Sequence, residues 1–129
     1  MPIVTIQAVV AESEQKYAAD TIQKLADSLG EIFESDPSST WIKMIYLDRN
    51  QYAENDAVIE EAVRPTFVDI LKRYLPDHDS LSTEAQRVAD AVARILTRPR
   101  ENVHIVYLPP GMGRVAFGGN LLLEQNNGK

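Results

Sequence analysis

The chain has 129 residues, 44% of them hydrophobic and 25% charged, with a net charge of −6, proportions that fit one ordinary globular domain with a moderate core. The acidic balance argues against nucleic acid as a partner, because phosphate binding needs a basic surface, and no apolar run approaches the ~18 residues of a membrane-spanning helix. With no cysteine there is neither a disulfide framework nor a thiolate nucleophile, which is compatible with a cytoplasmic setting.

Met1-Pro2-Ile3-Val4 opens a short apolar strand that runs from Pro2 to Val10. Aminopeptidases remove a start methionine ahead of a small residue such as proline, and a bare Pro2 then carries a secondary amine able to act as a base. Nothing here has the charged n-region of a secretory signal. Ser13 is expected to cap a helix whose first turn holds Glu14. Ala18, Ile22, Leu25, Leu29, Ile32 and Phe33 then recur at helical spacing as one apolar stripe. Pro37 biases its predecessor away from helical angles, so the helix should stop near Ser35. Trp41 to Leu47 reads as a second strand, parallel to the first because a whole helix separates them.

Ala53 to Val63 fits neither period cleanly and is assigned a short helix. From Pro65 the scheme repeats. Thr66 to Leu71 is a strand, and Pro65 suits a strand's first position, where no ladder N–H is needed. Ser82 or Thr83 is expected to cap a second helix with Ala85, Val88, Ala89, Val92, Ile95 and Leu96 on one face. Arg98-Pro99-Arg100 reads as a solvated loop, and Val103 to Leu108 as the last core strand. Pro109 to Gly113 is a turn-rich loop, followed by a hairpin or edge segment over Arg114 to Leu123.

The repetition is detailed. A shift of 63 residues superposes Pro2 on Pro65, Leu25-Ala26-Asp27 on Val88-Ala89-Asp90, and Ile32-Phe33 on Ile95-Leu96. A shift of 61 superposes Ile42-Lys43-Met44-Ile45-Tyr46-Leu47 on Val103-His104-Ile105-Val106-Tyr107-Leu108. Residues 1–129 thus form one domain of two units, 2–63 and 65–123. The fold class is α+β: duplicated βαβ units make one four-stranded mixed sheet with two helices on one face. Both parities of the closing strands are largely apolar, and a sheet apolar on both faces must be covered on both. The uncovered face should therefore meet other subunits. His78 and His104, far apart and without a ligand cluster, give no metal site.

The Pro-Ile start, the doubled unit of about 60 residues and the closing Val115-Ala116-Phe117-Gly118-Gly119-Asn120 resemble the tautomerase superfamily, over roughly Pro2 to Asn120. Its members include 4-oxalocrotonate tautomerase, macrophage migration inhibitory factor and cis-3-chloroacrylic acid dehalogenase; the longer ones fuse two units and form homotrimers. The resemblance implies a cofactor-independent keto–enol tautomerase for a small carboxylate substrate, with Pro2 as general base. Burial and nearby cations both lower an amine's proton affinity, and a base titrating near the working pH is the most effective.

It also implies a cation for the substrate's carboxylate, and Arg73 matches a carboxylate-binding arginine of the dehalogenase. Tyr107 falls near a tyrosine used beside the proline. Lys43 and His104 both fall where the small tautomerase has a second arginine. Lys72, Arg114 and Phe117 complete the expected substrate-binding set. Departures are visible. Glu12 stands where the small tautomerase has an arginine, Pro76 where the dehalogenase has another, and Ala116 leaves no match for its water-activating glutamate. Decarboxylation, hydration or dehalogenation of a three-carbon acid, and a non-catalytic trimeric binding role, are the alternatives on the same fold.

Overall fold

The computed structural model describes residues 2–12, 14–60 and 63–123. Strand β1 (Ile3–Val10), helix α1 (Ala19–Ile32) and strand β2 (Trp41–Asp48) form one βαβ unit. Strand β3 (Thr66–Leu71), helix α2 (His78–Leu96) and strand β4 (Val103–Tyr107) form the other. The sheet order is β2-β1-β3-β4. β1 is parallel to β2 and β3 to β4, while the central pair β1–β3 is antiparallel, with Ile3 opposite Leu71 and Ala8 opposite Thr66. The fold class is the expected one.

Alternation in the strands and a helical period in the helices build one core. Val4 and Ile6 of β1, Val68 and Ile70 of β3, Leu25 and Leu29 of α1, and Val88 and Val92 of α2 are completely buried together. Both helices thus cover the same face of the sheet. On its other face Trp41, Ile45 and Val106 are about half exposed, and Phe67 meets the His104 ring at 5.7 Å between centroids.

Several local expectations are corrected. α1 begins at Ala19, with no side-chain cap at Ala18. Ser13 lies outside the described residues, and Glu14 precedes the helix, taking the Ala11 N–H at 3.0 Å. The stretch 16–18 stays out of α1 because Tyr17 is drawn elsewhere: its N–H bonds to the Tyr46 hydroxyl at 2.9 Å and its own hydroxyl to the Leu96 carbonyl at 3.1 Å. α2 starts five residues before Thr83, at His78, because Asp77 is the cap and accepts the Ser80 N–H at 2.8 Å. The expected helix over 53–63 is absent among the described residues, where a single 3₁₀ turn, Arg49–Gln51, follows β2.

The Asp77 cap gives a pH-dependent prediction. The hydrogen bonds from Ser80, its backbone N–H first, hold the Asp77 carboxyl below its ordinary 3.8. A depressed folded-state pKa means the stabilisation is present above the ordinary value and is lost as pH falls through the folded one. Asp77→Ala should therefore lower the melting temperature at pH 7, and the gap from wild type should close as pH falls below the carboxylate range. A melting series from pH 7 to pH 2 measures this; a gap independent of pH would contradict it.

Arg98 is the largest correction. Far from lying in a solvated loop, its side chain is only 6% exposed. Its Nη1 donates to the carbonyls of Val9 and Arg64, both at 2.8 Å, and its Nε to the Tyr17 hydroxyl at 2.9 Å. Its Nη2 meets Glu14 Oε2 at 3.3 Å, while Arg64 holds the other carboxylate oxygen at 2.7 Å. This network closes the end of the sheet where β1 finishes and β3 starts, beside the fully buried Pro65. Arg100 is exposed, as expected, and pairs with Asp90.

After β4 the chain makes a two-residue hairpin, β5 (Ala116–Phe117) and β6 (Asn120–Leu121). Its loop residues Gly118 and Gly119 have φ of 59° and 88°. A tight hairpin turn with both central residues at positive φ favours glycine.

Candidate active site

Because β3 and β4 run against β1, the N-terminal ends of β1 and β2 share one end of the sheet with the C-terminal ends of β3 and β4. Pro2 is buried there, and its carbonyl accepts the Trp41 N–H at 3.0 Å. The register that sets Ile3 against Leu71, carried one residue further, sets Lys72 opposite Pro2. Pro2, Lys72 and Tyr107 share the parity of Val4, Ile70 and Ile105, the residues that face the helices.

Glu84, in the second turn of α2, joins two of these groups. Lys72 Nζ lies 2.7 Å from Glu84 Oε1, with side-chain exposures of 17% and 12%. The Tyr107 hydroxyl donates to Glu84 Oε2 at 2.8 Å. Burial, then the hydrogen bond and charge of Glu84, push the Tyr107 phenol well above its ordinary range; it stays protonated at physiological pH. Lys72 Nζ also lies 5.2 Å from the centre of the Phe33 ring, at the end of α1. The ammonium is thus held by a carboxylate and an aromatic face together.

Loop contacts complete this end. The carbonyls of Lys72 and Arg73 accept the N–H groups of Gly111 and Met112 at 2.8 and 3.3 Å, lacing the loop after β4 onto the end of β3. Arg73 is half-buried and Arg114 exposed on that loop. Phe117 meets Trp41 edge to face, 5.6 Å between centroids, so the hairpin is anchored to the residue that also holds the Pro2 carbonyl.

Pro2, Lys72, Arg73, Tyr107 and the Phe117 hairpin therefore gather around one end of the sheet. Lys43 and His104 do not join them within a chain. Both are exposed and have the opposite parity, on the uncovered face, with Lys43 against Thr5 and His104 against Phe67. Glu84 was not anticipated, yet a signal exists. It stands four residues before Val88, in line with Val92 and Leu96, so it is a carboxylate on the buried stripe of α2. Among the described residues no group of three or more His, Asp or Glu side chains could hold a metal ion, and no helix is long and apolar enough to cross a membrane.

A scan against protein-family models finds no match, and no curated protein matches in sequence. Solved structures do match in three dimensions. Pt0534, crystallised after inactivation by 2-oxo-3-pentynoate, superposes with a TM-score of 0.73 at 11% identity, over 97% of this chain and 98% of that one. Macrophage migration inhibitory factor from Oncomelania hupensis gives 0.70 at 16%, over 95% and 82%. A fused 4-OT, solved as an asymmetric trimer, gives 0.70 at 13%, over 97% and 99%. At such identities the likeness speaks for architecture: the chain has the fold of the tautomerase superfamily, in its fused, double-βαβ form.

Proposed function

We propose that the chain is a cofactor-independent keto–enol tautomerase for a small enol or 2-oxo acid, acting as a homotrimer with the Pro2 amine as general base. The observation that carries this reading is the burial of Pro2 at the end of the sheet where Lys72, Arg73 and Tyr107 converge. Pro2 moves a proton between the oxygen and the carbon of the substrate. Arg73 holds the carboxylate with its planar fork, Tyr107 lines the site, and Phe117 and Arg114 flank it from the closing hairpin and loop.

Base catalysis requires Pro2 to be the first residue of the working protein, since a preceding Met1 makes its nitrogen a tertiary amide without a basic lone pair. The test is turnover of phenylenolpyruvate or 2-hydroxymuconate by protein whose intact mass shows Pro2 first. No turnover of either by that form removes the reading.

The half-exposed Trp41, Ile45 and Val106 on the uncovered face, and the trimer of the fused 4-OT, support the homotrimer. In such an assembly Lys43 and His104 lie toward neighbouring subunits, the route by which either reaches a site. Ile45→Glu sets a charge on that face and should reduce the mass in light scattering from three chains to one. An unchanged trimer would move the interface elsewhere.

A further inference from the structure

If the Pro2 site takes small acids, as read above, the Lys72–Glu84–Tyr107 cluster bears on which acids. Lys72 stands across from Pro2 in the register of the central strands and would by itself be a cation for a second carboxylate. It is instead ion-paired at 2.7 Å, largely shielded from water. The second oxygen of the same carboxylate accepts a hydrogen bond from the Tyr107 hydroxyl at 2.8 Å. An incoming carboxylate must displace Glu84 to use either group, against the attraction of a close ion pair largely shielded from water. The aromatic ring beside the cluster is that of Phe33, its centre 5.2 Å from Lys72 Nζ.

We infer that Glu84 is a specificity-determining residue: by neutralising Lys72 and engaging Tyr107, it makes the site prefer a monocarboxylate with an apolar or aromatic body over a dicarboxylate. Glu84 acts through its two partners rather than on the reacting atoms, so it is a positioning residue.

The test measures binding of two unreactive acids, trans-cinnamate and trans,trans-muconate, by calorimetry. Glu84→Gln keeps the shape and removes the charge. It should raise muconate affinity relative to cinnamate by about tenfold or more. Lys72→Met should lower that ratio below wild type, and the double variant should return it near the wild-type value. This alternation of sign is one that a merely structural role would not produce. If Glu84→Gln does not fold, the rise from Lys72→Met to the double variant carries the same test. A ratio unmoved by removing the Glu84 charge, or failure of both acids to bind any form, overturns the proposal. The readout needs no turnover: an inactive protein with the expected ratios loses only the tautomerase reading, and an active one with flat ratios loses only the role of Glu84.

Discussion

Replacing Pro2 by alanine should cut kcat/KM for phenylenolpyruvate by about 10²- to 10⁴-fold, the usual range for losing a positioned general base. Alanine is also small enough for Met1 to be removed ahead of it, so both proteins present a free amine and the comparison isolates its nature. The secondary amine of proline is fixed by its ring at the head of β1, and its carbonyl is tied to the Trp41 N–H at 3.0 Å. A primary amine on alanine rotates freely and leaves the ring's buried space empty. Burial disfavours the ammonium form and thus favours a free base. The oligomeric mass should stay at the wild-type value, and the melting temperature should fall only slightly, by the cost of the space the ring leaves. Undiminished turnover would take Pro2 out of the chemistry.

Arg98→Met should cost the fold about 3 kcal/mol or more, among the largest effects of any single substitution away from the hydrophobic core. Methionine replaces the apolar stem but none of the donors. The carbonyls of Val9 and Arg64 lose bonds of 2.8 Å each, and an unmet buried acceptor costs about 1–3 kcal/mol. Tyr17 loses a partner as well, and Glu14 keeps only one of its two arginines. Arg98→Lys should recover part of the loss, because a single ammonium cannot replace the fork. Urea titration at fixed protein concentration measures both, the concentration mattering because assembly contributes to apparent stability. A loss under 1 kcal/mol for Arg98→Met would show that the network is dispensable.

What was legible in the sequence was periodic, and what was not was a competition between distant groups. Thr66–Leu71 was placed to the residue, since alternation, a preceding proline and a following Lys-Arg agree. The doubling was legible because the stripe of one helix maps onto the other. The start of α2 was misjudged since its apolar stripe begins late; its first turn is exposed, and Asp77 serves as cap where Ser82 and Thr83 also qualify. The start of α1 was misjudged because Tyr17 finds partners on β2 and α2, 29 and 79 residues away. Arg98 looked solvated beside Pro99 and Arg100, and only the three-dimensional meeting of Val9, Arg64, Tyr17 and Glu14 buries it. Glu84 went unnoticed for the same reason: a carboxylate on a stripe becomes significant only once Lys72 and Tyr107 are seen to face it.

The antiparallel pairing of β1 and β3 makes the two halves of the sheet near mirror-roles of each other, and the halves have parted ways. Pro65, the counterpart of Pro2, has an internal tertiary amide nitrogen with no basic lone pair; it is fully buried, and Arg98 bonds the carbonyl of Arg64 just before it. On the reading proposed above, each polypeptide has one proline nitrogen that can act as a base and one that cannot. A trimer of such chains would then hold three working stations, one for each polypeptide.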